Sequence, residues 1–142
     1  KKNNYPASHT SYKIINIKNK LISVRYAKTL NYKNLLLSCD IGLSTVVVTK
    51  KLLNNFKKPF PNIKTKEDFV LWLKITKKGY KFYSINNVLS SWTDNPNSLS
   101  KSFIQKIKDA FKVYFYFQNF NFLKSIYFIF ILSINFLIKK YK

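Results

Sequence analysis

Thr65-Lys66-Glu67-Asp68-Phe69-Val70-Leu71-Trp72-Leu73-Lys74-Ile75-Thr76-Lys77-Lys78-Gly79 is the stretch from which the rest of the chain is read. Its apolar residues recur at helical spacing, and Gly79 is the residue type that ends helices by taking a positive φ. At about 100° per residue, Glu67 shares a face with Lys74, Lys77 and Lys78, whereas Asp68 falls in line with Leu71, Trp72 and Ile75. Two readings of the acidic pair follow. In the first, Thr65-Lys66-Glu67-Asp68 is a capping box: Thr65 accepts from a free backbone N–H, Asp68 reaches back, and both carboxylates favour the positive end of the helix. In the second, Glu67 is solvated and Asp68 is aimed inward, where a carboxylate is costly without a partner or a task. Helix-end N–H groups and nearby lysines would keep Asp68 ionised, as a general base requires.

Upstream of this helix, residues 12–17 and Leu21–Val24 predict a hairpin around Lys18-Asn19-Lys20. Asn31 is expected to open a short helix through Leu37. The β-branched run Ser44–Thr49, preceded by Gly42, predicts a strand, and a short basic helix is expected over Lys50–Asn55. Pro59-Phe60-Pro61-Asn62 breaks regular structure. Downstream, Tyr80–Ser84 and Val88–Trp92 read as a second hairpin joined by Ile85-Asn86-Asn87, followed by a loop over Thr93–Ser100. Helices are expected from about Ser100 to Gln118 and from Phe122 to Ile138. The pattern is an α/β domain with a C-terminal helical tail.

The chain has 142 residues, 26 Lys+Arg against 5 Asp+Glu, and a formal charge of +21. Its 46% hydrophobic and 18% aromatic content excludes a disordered chain and is sufficient for one packed core. Arg25 is the only arginine, although phosphate and base recognition favour that side chain. Lys, Asn, Ile, Phe and Tyr are inflated together, the bias that A/T-rich codon usage produces, so the charge is a weak indicator of a ligand. Attraction to an anionic membrane surface and binding to nucleic acid remain open readings of it. The chain opens Lys1-Lys2 and contains no Met, which leads us to expect a cut N-terminus and a fragment.

Ser125–Ile138 is almost wholly apolar but, at fourteen residues, falls short of the roughly 18–20 that span a bilayer. Tyr127, Phe128 and Phe130, with the terminal lysines, suit a helix lying among lipid headgroups; packing on the domain is the alternative. One Cys and one His exclude a disulfide framework and a zinc site within one chain. A Cys39/His9 dyad is possible only on paper, and His9 reads as a strand-end residue. With Gly42 and Gly79 as the only glycines, there is no phosphate-cradling Gly-rich loop, and no Asp-x-Asp pair is present to hold a metal with a diphosphate. Asp40, Asp94 and Asp109 are expected at the surface or as caps. Asp68 remains the candidate catalytic residue.

The blocks Ile41-Gly42-Leu43-Ser44-Thr45-Val46, Phe60-Pro61, Lys66–Ile75 and Lys78-Gly79-Tyr80-Lys81, then Trp92 and Asn97-Ser98-Leu99-Ser100, occur in an order that resembles glycosyltransferase family 2. More narrowly, they resemble the C-terminal half of bacterial enzymes that build surface polysaccharide, over about residues 7 to 138. The resemblance implies a GT-A fold, here a partial mixed sheet with flanking helices. Residues 1–100 would be the acceptor-side half and 101–142 a membrane-associating helical unit. It implies a nucleotide-sugar donor, a glycan or lipid-linked acceptor, and inverting transfer with Asp68 as base and Glu67 beside it. Gly42, Ser44 and Thr45 would lie on the acceptor side of the cleft, with Trp72 also binding substrate. Trp92 and Ser98 would belong to a loop closing over the donor diphosphate or the acceptor. A divalent Mg or Mn ion is expected for the longer parent, whose Asp-x-Asp site is not in this chain. Thr93 departs from the family, which commonly has arginine there, and so lacks the charge that would grip a diphosphate. The implied location is the inner face of the cytoplasmic membrane. The rival reading is a non-catalytic basic module that binds anionic membrane or nucleic acid.

Overall fold

The computed structural model describes residues 4–95 and 102–141. Its organising element is strand β1 (Ala7–Asn16), which has strands on both edges. Strand β4 (Tyr83–Asp94) runs parallel along one edge from Ser8 to Asn16. The other edge is shared by two antiparallel strands, β3 (Val46–Val48) against Ala7–His9 and β2 (Leu21–Arg25) against Tyr12–Ile15. The mixed sheet and the helices around it make an α/β fold with a C-terminal helix.

The first hairpin forms as expected because Asn16 and Asn19 supply its chemistry. Asn16 Oδ1 accepts from the backbone of Lys18 and Lys20, both at 2.9 Å, and Asn19 takes the left-handed conformation that asparagine tolerates. The strand extends further upstream than the pattern predicts. Ala7-Ser8-His9-Thr10-Ser11 carries no hydrophobic alternation, yet Ala7, Ser8, His9 and Ser11 are buried. Small polar residues are admitted at the centre of the sheet because their groups are satisfied: Ser11 Oγ accepts from Ala27 N at 2.9 Å.

The second hairpin does not form. Tyr83–Asp94 is one strand, and the polar Asn86-Asn87 that resembles a turn is absorbed by a bulge where Thr10 pairs with Ile85 but Ser11 pairs with Val88. A parallel partner on β1 holds the whole segment extended, overriding the local turn signal. The same pairing carries the strand through Thr93 and Asp94, where a loop was expected to begin. The run Ser44–Thr49 is also shorter as a strand than expected. Leu43–Thr45 is a 3₁₀ turn, closed by Thr45 N and Thr45 Oγ1 donating to Gly42 O at 3.0 and 2.7 Å.

Helix α1 (Tyr32–Leu37) opens on a capping box in which Asn31 and Asn34 bond each other's backbone. Helix α2 (Lys50–Leu53) is capped by Thr49. Helix α3 (Glu67–Lys77) buries Phe69 through Leu73, together with Ile75 and Thr76, and ends before Gly79 at φ 90°. Trp72 meets Phe82 edge to face at 5.0 Å, and Phe69 meets Tyr114 at 6.3 Å.

Helix α4 (Phe103–Lys112) passes into a π-helical turn (Val113–Phe117), so the helix expected up to Gln118 changes its winding after Lys112. Its predicted start at Ser100, and the loop residues 96–100 including Ser98, lie outside the described residues. Helix α5 (Phe122–Tyr141) is longer than expected. Asn121 caps its start, its Oδ1 accepting from Lys124 N at 2.9 Å. An 18-residue apolar window, Phe122–Lys139, is long enough to cross a membrane by length and composition. Ala110, Val113, Tyr114 and Ile129 join residues of β1, α1 and α3 in one continuous core.

Candidate active site

The entry to α3 is built differently from the capping box that the sequence allows. Thr65 turns away from the helix: its N–H and hydroxyl both donate to Asp109 Oδ2, at 3.0 and 2.8 Å. Lys66 then occupies the cap position in the left-handed conformation (φ 67°), with no side-chain cap bond. Asp68 does not reach back. Its Oδ1 accepts from the adjacent Phe69 N–H at 2.7 Å. The inward reading of Asp68 and the structure agree in part, since the side chain is half-buried rather than enclosed, as is Glu67.

Burial pushes the Asp68 carboxyl above the usual range, with Glu67 adding to the rise, while the Phe69 N–H and Lys66 oppose it. Cys39 is within electrostatic range of Asp68, Lys66 and Lys139. Burial, then Asp68, pushes its thiol up to about 11, so Cys39 is a neutral group at ordinary pH and a poor nucleophile. His9 is buried in β1, with Nε2 at 2.8 Å from Lys28 O, and burial lowers its pKa despite that bond. It is a satisfied central-strand residue rather than one at a strand end.

The C-terminal end of α5 returns to this region. Lys139 pairs with Asp40 and bonds Ser38, while Arg25 donates to the Lys139 carbonyl. Arg25 and Lys28 lie within electrostatic range of Lys139. Cys39 thus has the Asp68 carboxylate and the cations Lys66 and Lys139 around it, whereas the cation acting directly on Asp68 is Lys66. Arg25 and Lys139, unlike Lys66 beside the acidic pair, lie far from Asp68 in the sequence. Each is one lysine or arginine among 26, and only the fold gathers them.

The other expected site residues divide between this neighbourhood and the core. Gly42 lies against Tyr12, whose ring would be 3.5 Å from a Cβ placed there. Tyr12 in turn lies within electrostatic range of Arg25 and Cys39. Ser44 is exposed, whereas Thr45 is buried with its hydroxyl engaged by Gly42 O. Trp92 is 44% exposed and pairs with Ile14, two residues along β4 from Ser90, the partner of Tyr12. Tyr12 and Trp92 thus project from the same face of the sheet. Trp72 is 2% exposed and its indole N–H lacks a partner among the described residues. It borders a hollow of about 250 Å³ with Leu43, Val46, Leu53 and Phe60, so contact with a substrate would have to pass through that apolar hollow.

Asp109 is not at the surface. It is fully buried, and besides Thr65 it accepts from Gln105 Nε2 at 2.9 Å, with Lys112 at 3.8 Å. Burial alone would raise its pKa, but the bonds from Gln105 and Thr65 outweigh that and hold it below the usual carboxylate range. Asp40 is paired with Lys139. Among the described residues no three His, Cys, Asp or Glu side chains cluster as metal ligands would.

No family model matches the chain. Two curated bacterial proteins are similar to it. One, WfgD of Escherichia coli, is named a UDP-Glc:alpha-D-GlcNAc-diphosphoundecaprenol beta-1,3-glucosyltransferase; it is 32% identical over 114 residues, 79% of this chain and 44% of the relative. The other, TuaG of Bacillus subtilis (strain 168), carries a name that assigns it to teichuronic acid biosynthesis as a glycosyltransferase. It is 29% identical over 98 residues, 69% of this chain and 38% of the relative. The chain spans less than half the length of either. These similarities relate it to bacterial glycosyltransferases.

Proposed function

We propose that the chain is the acceptor-side half of a family 2 glycosyltransferase of the GT-A fold, with Asp68 as its general base. In the reaction, the acceptor hydroxyl oxygen forms a bond to the anomeric carbon of a nucleotide sugar as the bond from that carbon to the diphosphate oxygen breaks. The leaving nucleoside diphosphate takes the bonding electrons, the hydroxyl proton goes to Asp68, and a single displacement inverts the configuration. The observation that carries this reading is the state of Asp68. It is half-buried at the start of a helix, holds one backbone N–H, and has its proton affinity raised by burial, which suits a carboxylate to accepting a proton near neutral pH.

Glu67 would set the charge beside the base. Gly42, Ser44 and Thr45 would shape the acceptor side, while Trp92, with Ser98, would cover donor or acceptor. The donor is a nucleotide sugar, and the acceptor a glycan or a lipid-linked glycan. The relatives' roles support this, since one is named for transfer to a diphosphoundecaprenol-linked sugar. A divalent Mg or Mn ion would be held by residues of a longer parent, and no step above runs through it. Residues 1–100 would form the acceptor-side half and 101–142 the helices that bring it to the inner face of the cytoplasmic membrane.

The test is Asp68→Asn in the longer parent protein, assayed for transfer from a panel of nucleotide sugars. General-base catalysis is worth on the order of a hundredfold or more, so the variant should lose at least about that factor in kcat with its fold intact. Retained turnover in a folded variant would sink the assignment of the base.

A further inference from the structure

Helix α5 is apolar around its whole circumference for most of its length, yet only one side of it is covered. Ser125 and Ile129 face the core. On the opposite side Leu123, Ile126, Tyr127, Phe130, Ile134 and Leu137 form a single stripe, with exposures from 36% to 78%. A helix apolar on all sides belongs inside something. At its N-terminal end the stripe runs into a groove of about 750 Å³ between α4, α5 and residues 62–64. Ile63, Ile107, Phe111, Ile126 and Ile129 give the groove its apolar lining, and Lys64, Lys108 and Lys112 stand around it. A groove of that size is in the range of ligand sites, roughly 300–1,000 Å³.

We infer that this face docks in the plane of an anionic bilayer, with the groove taking the acyl chain of one lipid and its lysines the phosphate. Three observations choose this occupant. The stripe and the groove share Ile126, so hydrocarbon contact is continuous from one to the other. The cations beside an apolar floor match a molecule that is a phosphate at one end and hydrocarbon at the other. The charge of +21 also opposes a second copy on the same face and favours an anionic surface.

The helix lies in the plane rather than crossing it because its C-terminal turns are fastened to the domain, as Ser125 and Ile129 are packed on the core further back. Asn135 Nδ2 donates to Leu37 O at 2.9 Å, Lys139 pairs with Asp40, and Arg25 bonds the Lys139 carbonyl. A crossing helix would draw α1 and that ion pair into hydrocarbon, where unsatisfied polar groups are excluded. The inference rests on the membrane-side location proposed above and is independent of the transfer reaction.

The experiment is flotation of the chain with phosphatidylcholine vesicles, with and without phosphatidylglycerol, across a salt series. Binding is expected only with phosphatidylglycerol and should fall steeply with salt. Lys64→Gln and Lys108→Gln should each weaken it about fivefold. Phe130→Asn, on the exposed stripe, should weaken it at least about tenfold, with unchanged circular dichroism showing that the variant folds. Monomeric short-chain phosphatidylglycerol should shift the amide resonances of Ile126 and Ile129, and glycerol phosphate should not. Equal binding to neutral vesicles, no binding to either kind, equal shifts from glycerol phosphate, or a dimer in sedimentation that buries Phe130 would each overturn the inference. Vesicle binding reads no sugar transfer, so failure here leaves the assignment of Asp68 standing. A failure of Asp68→Asn to abolish transfer would likewise leave the docking face standing.

Discussion

Asp68 and Asp109 are two of only five acidic side chains in the protein, and the fold treats them in opposite ways. Asp109 is the more deeply buried, yet it is held below the usual carboxylate range because three donors converge on one of its oxygens. Asp68 is only half-buried, yet burial raises it, because the backbone N–H at its own helix start and Lys66 offset that cost only in part. Burial alone therefore does not set the direction of the shift; the number of donors on the carboxylate decides it. The two are also connected. Asp109 grips Thr65, three residues before Asp68, so the carboxylate with three donors fixes the turn from which the other is presented.

The harshest way to break this comparison is Asp109→Ala. Removing the acceptor leaves the Thr65 N–H and hydroxyl without their buried partner, at a cost of about 1–3 kcal/mol for each group so stranded. We expect a total loss of about 3 kcal/mol in denaturant unfolding, and a loss of transfer in the longer protein as the start of α3 loosens. A loss below about 0.5 kcal/mol would mean that water replaces the carboxylate and that it fixes nothing. The pH dependence has a definite sign. A folded pKa below the unfolded value gives stability that is full above the unfolded pKa of about 3.8 and is lost as pH falls through the folded value. The stability gap between wild type and Asp109→Asn should therefore be constant from neutral pH down to about pH 4 and narrow below it.

Much of this was legible in the sequence where local chemistry decides. The Asn16–Asn19 turn, the Asn31 cap, the buried face of α3 and its end at Gly79 follow from residue type and spacing alone. What misled was local chemistry overruled from a distance. Thr65 and Asp68 have the spacing of a capping box, but Asp109, 44 residues away, takes Thr65 for itself. Asn86-Asn87 looks like a turn, but β1 pairs the chain on both sides of it. The polar run Ser8–Ser11 is central because its partners lie on β3 and β4, which no periodicity within the run can reveal. Around the candidate site, the inward lean of Asp68 and the adjacent Lys66 were legible from the helix sequence, whereas Arg25 and Lys139 meet only through tertiary contacts.

A smaller effect is expected at Tyr114, which joins the α4 side of the comparison to the α3 side. Its hydroxyl donates to Leu36 O at 2.8 Å, and its buried ring stacks with Phe120 and Phe128 while meeting Phe69 edge to face. Tyr114→Phe keeps the ring and removes the bond, so unfolding should be easier by about 1 kcal/mol. Transfer by the longer protein should be unchanged, because the ring, and not the hydroxyl, supports Phe69. A loss of transfer equal to that of Asp109→Ala would show that the two sides are coupled more tightly than their contacts imply.

The finest discrimination comes from the stability of Asp68→Asn. A capping residue replaced at this position would cost stability, typically about 1 kcal/mol. Asp68 has the opposite sign. Its folded pKa lies above the unfolded one, so its contribution to stability is fully present below the unfolded pKa and is lost as pH rises through the folded value. At neutral pH its charged form is a burden on the fold, eased in part by the Phe69 N–H and by Lys66. The amide relieves that burden, so Asp68→Asn should be as stable as wild type at neutral pH or slightly more so, and should lose that advantage as the pH falls through the raised folded value, completely by about pH 4. Paired thermal melts at neutral pH and at the acid end would check both halves. A variant that melts earlier at neutral pH would return Asp68 to the class of Asp109, a carboxylate kept for the fold. One that melts no earlier and transfers no sugar would mean that the protein tolerates an unfavourable charge at this position because the reaction requires it.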